Sequence, residues 1–324
     1  MPSSQEQFAI GVDIGATKIA SVLVSESGEL VKSSQVFTFP EEGPRAVFDR
    51  VANQVLDLAR HSPSAVVGVG IGSPGKVDSD HGKVYNAVNL GWAEVDLTEE
   101  VASRIDRTLP VWIQKDANLS ALGENYFGAC QGLHDFVYLG IGSGLGAGII
   151  SSGHLITGGD WYAADVGHLS IDPNGPLCVC GGRGCAETTA SGPGLVRVTL
   201  EKLAGSQEMS ILSNRLELTP EDVLAAARGG DALAMQALAE VGRALGMIMS
   251  ACTVILNPSR YVVGGGLGLA GFDFIIPAAH EELMLRTIPQ SRSLLDIVPS
   301  RVQSPAIGAA CLVWYMQYGK VAKG

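Results

Sequence analysis

One histidine and three cysteines lie close together in the middle of the chain. His168 is followed ten positions later by Cys178, and then by Cys180 and Cys185. An imidazole and three thiolates are a complete tetrahedral ligand set for zinc, and three cysteine ligands leave no open position for a catalytic water. The tight turns needed to bring the sulfurs together are allowed by three glycines, Gly181, Gly182 and Gly184. The pattern therefore predicts a structural Zn²⁺ site.

Two other interpretations of these cysteines stay open from the residues alone. A disulfide between Cys178 and Cys180 would close a very small, strained loop, and nothing in the sequence indicates an oxidising compartment. The three thiols could also be buried apolar side chains that share no ligand. Chance would rarely place three of six cysteines so close together, so zinc is the favoured interpretation.

The segment from Asp13 to Lys18, D-I-G-A-T-K, follows a predicted strand and could turn around a phosphate group. Glycine lets backbone amides approach anionic oxygens, and the Asp13 carboxylate could orient the water molecules of Mg²⁺. An ordinary hairpin turn is the alternative, and the segment alone does not decide between them. Its spacing differs from G-x-x-x-x-G-K-[ST], which argues against a P-loop nucleotide site.

Two further glycine-rich segments could also approach phosphate. G-I-G-S-G-L-G-A-G covers residues 140–148, and Gly264, Gly265 and Gly266 follow another predicted strand. The first segment loosely fits a dinucleotide fingerprint, but a strand and a turn follow it where that fold requires a helix. The second segment could be a simple turn from strand to helix.

Asp116 lies in K-D-A-N, where a predicted buried strand at 111–115 meets the next helix. A carboxylate in such a place can serve as a general base. It can equally serve as the N-cap of the helix, and the local sequence alone favours the cap.

The elements that would position these residues alternate between strands and helices. Strands are predicted at 8–14, 19–24, 30–39, 65–71 and 111–115, with a helix at 44–60 and a long loop at 73–92. The order of strand, glycine-rich turn and strand at 8–24 returns at 135–151. Later helices are predicted at 193–203, 219–228, 231–256, 273–286 and 305–318. The pattern indicates an α/β chain with two related halves.

Composition excludes several classes of protein. With 324 residues, of which 46% are hydrophobic and 17% charged, the chain is expected to be globular and long enough for two domains. A formal net charge of -11 argues against a nucleic-acid surface. The start, M-P-S-S-Q-E-Q, has no basic or apolar signal region, so a cytoplasmic location is expected. The longest apolar run, at 244–256, is too short to span a bilayer, so we expect no membrane partner.

The segment with the predicted zinc ligands resembles the signature of the ROK family (repressors, open reading frames, kinases), which contains sugar kinases and sugar-responsive repressors. The resemblance rests on G-H, nine residues, and C-x-C-G-x-x-G-C-x-E, matched at Gly167, His168, Cys178, Cys180, Gly181, Gly184, Cys185 and Glu187. It implies the duplicated ribonuclease-H-like α/β fold of actin and sugar kinases, with two domains around a cleft that binds the substrates. The implied domains are 1–115, completed by a C-terminal helix at 304–324, and 116–303, which carries the zinc loop.

The resemblance also implies an ATP-dependent kinase that transfers the γ-phosphoryl group to the 6-hydroxyl of a hexose, with glucose expected first. Asp116 would be the catalytic base, and ATP and Mg²⁺ the cofactors. The implied nucleotide-binding residues are Asp13, Gly15, Thr17, Lys18, Gly142, Ser143, Gly144, Gly264, Gly265 and Gly266. The implied sugar-binding residues are Gly72, Asn89, Asn118, Asp165, His168 and Glu187. By the same analogy the protein would be a homodimer.

One sugar-contacting position departs from the family. The family reads A-G-E-x-G-H, whereas this chain reads A-A-D-V-G-H, so Asp165 replaces a glutamate that reaches the anomeric end of the sugar and Ala164 replaces a glycine. The shorter carboxylate leaves the identity of the sugar open. An N-acetylhexosamine or another polyol is the alternative substrate.

Two functions from other classes were compared with the kinase. A sugar-sensing ROK protein binds sugar without turnover, but repressors of that kind carry a DNA-binding domain before the first strand. Only about seven residues precede that strand here, so we expect an enzyme without a nucleic-acid partner. A zinc-ribbon nucleic-acid binder would need paired C-x-x-C motifs and basic charge, and this chain has neither.

Overall fold

Two five-stranded sheets organise the protein. The structure, a computed structural model, describes residues 6–213, 215–292, 295–302 and 304–321. Within these residues the strands are β1 (Phe8–Ile14), β2 (Lys18–Ser25), β3 (Leu30–Phe37), β4 (Val66–Ser73), β5 (Lys76–Asp78), β6 (Lys83–Ala87), β7 (Trp92–Asp96), β8 (Val111–Lys115), β9 (Phe136–Ile141), β10 (Leu145–Ser151), β11 (His154–Leu155), β12 (Arg260–Gly264) and β13 (Asp296–Pro299). The α-helices are α1 (Pro44–Arg60), α2 (Leu97–Arg104), α3 (Asp116–Tyr126), α4 (Gly192–Gly205), α5 (Pro220–Arg228), α6 (Ala232–Leu256), α7 (Gly266–Ala270), α8 (Phe272–Arg286) and α9 (Pro305–Tyr318).

The first sheet has the strand order β3-β2-β1-β4-β8. Strands β1 to β3 form an antiparallel meander, while β4 and β8 continue the sheet parallel to β1. The register pairs Asp13 with Gly72, and Gly72 with Gln114. Because parallel strands end at the same edge, the carboxyl ends of β1, β4 and β8 bring Asp13, Gly72 and the start of α3 together.

The second sheet has the order β11-β10-β9-β12-β13. Strand β12 runs parallel to β9 and to β13, and β11 is antiparallel to β10. An outer antiparallel pair followed by parallel strands is the arrangement of the first sheet as well. The predicted α/β fold with a repeated order of elements is therefore confirmed.

The chain forms two compact units. The first contains residues 1–134, 148–163 and 301–324, and the second contains 135–147 and 164–300. The predicted domain boundary after residue 115 stays a prediction, and the end of the predicted 304–324 helix lies outside the described residues.

The first unit is closed by α9, which packs on β1 and β4. Gly11 and Gly70 allow this close approach, since a Cβ added at either position would lie 1.9 Å from the Ala306 oxygen or 1.8 Å from the Ala309 oxygen. Any larger residue in these strands would push the helix away, and the buried surface between them would be lost.

One prediction about a single segment was wrong. Residues 73–92 are not one long loop, because β5, β6 and the start of β7 form a small antiparallel sheet there. These strands are only three to five residues long, too short for a clear alternating pattern. The apolar stretch at 244–256 belongs to a 25-residue helix, α6, which is long enough to cross a membrane. Its burial, 61% of the most apolar window, marks α6 as a core helix instead.

Candidate active site and metal centre

Two carboxylates lie near each other at the carboxyl edge of the first sheet. Asp13 is the next-to-last residue of β1 and pairs with Gly72 of β4, and Asp116 begins α3 directly after β8. Burial and then the Asp116 carboxylate raise the pKa of Asp13 to about 7, while Lys18 opposes the shift. A buried carboxylate beside a second negative group is a place where a cation or a proton would be favoured.

The conformation of Asp116 separates the two roles considered for it. The N-cap of α3 is Lys115, and Asp116 is the first helical residue, with its Oδ1 accepting a hydrogen bond from the adjacent Ala117 amide at 2.7 Å. In α2, by contrast, the N-cap Asp96 accepts from the Glu99 amide, three residues on. Asp116 is therefore not the N-cap of α3.

The predicted phosphate hairpin is held in shape by a residue that sequence reasoning missed. The Gly15 amide donates to the Lys18 carbonyl, which closes the turn between β1 and β2. Thr38, which is fully buried, binds both sides of the turn: its hydroxyl donates to the Gly15 carbonyl at 2.7 Å and its amide to the Thr17 carbonyl at 3.0 Å. The sequence gives no signal of this contact beyond a single threonine directly after β3.

The three sugar-binding residues predicted in the first unit have different surroundings. Gly72 lies against Asp13, because a Cβ added there would be 3.1 Å from its Oδ1. Asn118 is buried and donates from Nδ2 to the Gln114 Oε1 at 3.1 Å, while its Oδ1 is buried without a partner among the described residues. Asn89 is exposed in a short 3-10 helix. Gln114, which sequence reasoning missed, thus orients the Asn118 side chain so that its Nδ2 donates to Gln114 and its Oδ1 can accept a hydrogen bond.

The four predicted metal ligands converge in the second unit. Their ligand atoms, from His168, Cys178, Cys180 and Cys185, all lie within 4.8 Å of one another. The His168 Nδ1 is 3.7 Å from the Cys178 sulfur, and the sulfurs of Cys180 and Cys185 are 3.6 Å apart. A tetrahedral zinc with bonds of about 2.3 Å would place such atoms roughly 3.7 Å apart, so the residues fit this metal.

Tight turns shape the loop around the cluster. The Cys178 amide donates to the Gly182 carbonyl and the Gly181 amide to the Cys178 carbonyl. Gly181 and Gly184 both have positive φ, and a Cβ on Gly184 would lie 1.6 Å from the Asp172 oxygen. Gly181 and Gly184 therefore make the tight turns of this loop, whereas at Gly182 an added Cβ would lie 3.3 Å from the sulfurs of Cys180 and Cys185.

The thiols of this cluster differ in acidity. Burial, followed by the neighbouring Cys180 and Cys178, raises the pKa of Cys185 to about 12. The Gly182 amide donates to the Cys180 sulfur and lowers the pKa of that thiol. A metal ion would favour the deprotonated form of every thiol in the cluster, which makes metal binding and proton release one event.

Glu187 connects the metal loop to the first glycine turn. It lies in a short 3-10 helix directly after Cys185, and its Oε2 accepts from the Leu145 amide at 2.9 Å. A Cβ on Gly144 would lie 2.5 Å from the same oxygen. Glu187 was predicted as a sugar ligand. In the structure one of its oxygens supports the turn at 142–144.

The two glycine turns of the second unit meet at one edge of its sheet. Strands β9 and β12 are parallel, and their last pair is Gly140 with Gly264. Gly265 has a φ of 78°, and a Cβ there would lie 2.3 Å from the Ile141 oxygen. The two predicted nucleotide-binding turns are thus neighbours, as a shared ligand would require. One contains Gly142, Ser143 and Gly144, and the other contains Gly264, Gly265 and Gly266.

Asp165 lies directly before the 3-10 helix Val166–His168, and its carbonyl accepts from the His168 amide at 3.1 Å. Ala164, the preceding residue, has a φ of 65°, the left-handed conformation that glycine adopts at low cost. Since the Nδ1 of His168 faces Cys178, Nε2 is the ring nitrogen that could contact another ligand.

Known proteins resemble this chain along nearly its whole length. The sequence model of the ROK family matches residues 9–315. A glucokinase from Thermotoga maritima is 34% identical over 318 residues, which cover 94% of this chain and 96% of that protein. The structure of a ROK family glucokinase from Streptomyces griseus, in complex with glucose and AMPPNP, has 32% identity and a TM-score of 0.78, covering 94% of this chain and 98% of that one.

A regulator is also similar to this chain. The structure of a ROK family transcriptional regulator, a homologue of the E. coli MLC protein, has 26% identity and a TM-score of 0.85. It covers 97% of this chain, which in turn spans 79% of the regulator. These similarities confirm the predicted fold class, and the chain belongs to the ROK family.

Proposed function

We propose that this protein is an ATP-dependent hexose kinase that transfers the γ-phosphoryl group of ATP to the 6-hydroxyl of glucose. The observation that carries the proposal is the placement of two neighbouring carboxylates, Asp13 and Asp116, at the carboxyl edge of the first sheet. Similarity to glucokinases along 94% of the chain supports the same reaction.

Asp116 is the base of the proposed reaction. It accepts the proton of the sugar hydroxyl as that oxygen attacks the γ-phosphorus and the bond to ADP breaks. A positioned base contributes about 10²- to 10⁴-fold to the rate, and phosphoryl transfer depends otherwise on orientation and charge neutralisation. Asp13, a buried carboxylate whose pKa is raised by burial and by Asp116, is the residue that would orient Mg²⁺, and the ion would neutralise charge on the phosphates.

The nucleotide is assigned to three backbone turns. The first is the β1–β2 hairpin with Gly15, Thr17 and Lys18, which Thr38 holds in shape. The others are the adjacent glycine turns of the second sheet. All three turns contain glycine, which lets backbone amides approach anionic oxygens.

The sugar is assigned to Gly72, Asn89, Asn118, Asp165, His168 and Glu187. A structural Zn²⁺ at His168, Cys178, Cys180 and Cys185 would fix the loop that carries Glu187. Because Asp165 is short, an N-acetylhexosamine or another polyol is the alternative substrate. A cytoplasmic homodimer without nucleic-acid or membrane partners completes the proposal.

Sugar binding without turnover is the second candidate function. The regulator structure favours it, with a TM-score of 0.85. The two functions differ in what Asp116 does, since a sensor needs the carboxylate only as a hydrogen-bond acceptor.

A coupled assay of ADP release over hexoses, N-acetylhexosamines and inositols tests the proposal, with calorimetric sugar binding measured in parallel. Saturable ADP release with a hexose, and formation of its 6-phosphate, are expected. Binding of a sugar without ADP release would establish the sensor and overturn the kinase.

A further inference from the structure

Lys76 lies inside a group of aromatic and acidic side chains in the first unit. Its ammonium is 4.5 Å from the ring centre of Tyr162, 5.7 Å from Trp161 and 5.8 Å from Tyr85. It also donates to the Asp160 carboxylate at 2.9 Å. We name this group, Lys76 with Tyr85, Asp160, Trp161 and Tyr162, the lysine clasp.

The clasp is built from two different parts of the chain. Lys76 and Tyr85 face each other as a register pair of β5 and β6. The other three members come from the segment 157–163, which is closed at its base by a hydrogen bond from the Ala163 amide to the Thr157 carbonyl. Lys76 therefore fixes the tip of a loop more than eighty residues away in the sequence.

The loop adopts a conformation that needs outside support. Trp161 has a φ of 57°, which is rare for a bulky residue and costs of order 1–3 kcal/mol. In an extended segment, consecutive side chains point to opposite faces, whereas here Trp161 and Tyr162 both face Lys76. The rings of Trp161 and His81 are nearly perpendicular, with their centres 6.0 Å apart. The Nδ1 of His81 is within hydrogen-bond distance of the buried Asp78 carboxylate, at 2.9 Å.

Lys76 is largely withdrawn from water, which strengthens these contacts. Only 16% of its side chain is exposed, although lysine is rarely buried. A desolvated cation over aromatic rings interacts more strongly than an exposed one. By comparison, Lys83 on β6 pairs with Glu94 at 2.8 Å with 36% of its side chain exposed.

The clasp is close in the sequence to two of the proposed sugar residues. Lys76 comes four residues after Gly72, which lies near the end of β4 and pairs with Asp13 of β1. On the other side, Tyr162 precedes Asp165 by three residues, with the left-handed Ala164 between them. The backbone that presents Asp165 therefore starts from the point that Lys76 holds.

We propose that Lys76 is a positioning residue for substrate recognition: through the clasp it fixes loop 157–163 and so the place from which Asp165 reaches the sugar. The inference rests on the proposed assignment of Asp165 to the sugar. Lys76 touches neither reacting atom in this proposal. It acts on sugar affinity and specificity, and the phosphoryl transfer step is left to Asp13 and Asp116.

Four variants of the full-length protein test the role of Lys76. Lys76→Met keeps the length of the side chain and removes its charge, while Lys76→Arg keeps a cation that can stack on the rings. Asp160→Asn removes the charge of its partner, and Lys83→Met is the matched control. Lys76→Met is expected to raise KM and calorimetric Kd for the sugar by roughly 3- to 30-fold, with kcat within about threefold of wild type. Lys76→Arg is expected to restore most of the affinity, Asp160→Asn to give a smaller loss, and Lys83→Met to behave as wild type.

A second readout reports on the loop itself. Chymotrypsin cleaves after aromatic residues, so mass spectrometry of a brief digest measures how often Trp161 and Tyr162 become accessible. Lys76→Met should increase cleavage there, whereas Lys83→Met should not. If the loop is cleaved faster but sugar Kd and KM are unchanged, the inference is wrong. A failure of arginine to rescue, or an equal loss in Lys83→Met, overturns it too.

The test separates this inference from the proposed function. If the wild-type protein binds sugar but releases no ADP, the kinase proposal fails, and the effect of Lys76→Met on Kd still decides the role of the clasp. If the wild type turns over sugar and Lys76→Met leaves Kd and KM unchanged, the clasp inference fails alone. If the wild type binds no sugar, both fail.

Discussion

The Asp13–Asp116 pair and the cluster of His168, Cys178, Cys180 and Cys185 both place acidic side chains close together, but the chain assembles them in opposite ways. The two carboxylates are more than one hundred residues apart and are brought together by β1 and β8. The four metal ligands lie within eighteen residues, in a loop whose described regular structure is limited to short 3-10 turns and two isolated bridges. The sheet therefore holds the first site, whereas the second must be held by its own ligands.

The ligand types differ in the same sense. Carboxylate oxygens suit Mg²⁺, which keeps part of its water and arrives with phosphates. Thiolates and imidazole suit Zn²⁺, which stays bound as part of the fold. We infer that a cation at the carboxylates is exchanged during turnover, while the metal at the cysteines is resident. Changes at the first site should alter activity with little loss of stability, and changes at the second should alter stability first.

Asp116→Asn gives the largest expected effect on activity. Turnover should fall by roughly 10²- to 10⁴-fold, because only proton acceptance is removed, while the sugar Kd stays within a few-fold. Coupled ADP release and calorimetry measure the two quantities. Asp96→Asn, at the N-cap of α2, is the control, since asparagine caps a helix as well as aspartate does. Turnover of Asp116→Asn within a few-fold of wild type would show that the base lies elsewhere.

Cys180→Ser tests the other half of the comparison. Zinc affinity should drop by roughly 100-fold or more, and Tm should fall by several degrees, because the loop loses a cross-link that its short turns do not replace. Metal analysis of protein purified without chelator and thermal unfolding measure both. Cys252→Ser, a buried thiol on α6 outside the cluster, should keep one equivalent of zinc. Active wild-type protein with almost no zinc would contradict the prediction.

The same contrast explains how much could be predicted from the sequence. The metal cluster is local, so the spacing of His168 and three cysteines was enough to predict it. The ends of β1, α1 and α9 were also predicted correctly, since local patterns determine where regular elements begin and end. The role of Asp116 as a base and the return of the last helix to the first domain were expected only from the resemblance to a family.

What sequence reasoning missed depends on contacts between distant segments. Thr38 supports the phosphate hairpin and Gln114 orients Asn118, yet neither lies in a recognisable motif. Gly11 and Gly70 are explained only by the backbone of α9 against them. The sequence predicts a loop at 73–92, whereas β5, β6 and β7 form a sheet there. These strands are stabilised by pairing with one another, and each is too short to show a pattern of its own.

The raised pKa of Asp13 predicts an unusual pH dependence of stability. A carboxyl whose folded pKa lies above its unfolded value contributes stability below the unfolded pKa and loses it as pH rises to the folded value. In protein free of nucleotide and Mg²⁺, Asp13→Asn should therefore become more stable than wild type as pH rises from about 4 to about 7, with a constant difference above that. The plateau is on the order of 2–4 kcal/mol in the free energy of unfolding.

Urea unfolding at several pH values measures this difference. Asp57→Asn is a control of opposite sign: the Lys32 ammonium lowers the pKa of Asp57, so that variant should become less stable relative to wild type as pH rises. Mg²⁺ with nucleotide should stabilise wild type more than Asp13→Asn. A constant difference between Asp13→Asn and wild type from pH 4 to 8 would show that Asp13 titrates normally.

Asp165→Glu has the smallest expected effect, since it changes neither the carboxylate pair nor the metal ligands but only the sugar contact proposed for Asp165. Asp165 follows the left-handed Ala164 and precedes the metal ligand His168 by three residues. If its carboxylate contacts the sugar, one methylene changes whether a hydroxyl is paired directly or through water. An unpaired polar group costs about 1–3 kcal/mol, which corresponds to a change in sugar preference of roughly ten- to a hundredfold. We expect kcat/KM for glucose to rise relative to N-acetylhexosamines, with zinc content and the pH profile of stability unchanged. Specificity ratios that stay constant across the sugar panel would mean that Asp165 does not contact the sugar, and Asp165→Asn, which keeps the length and removes the charge, would then have no effect on them either.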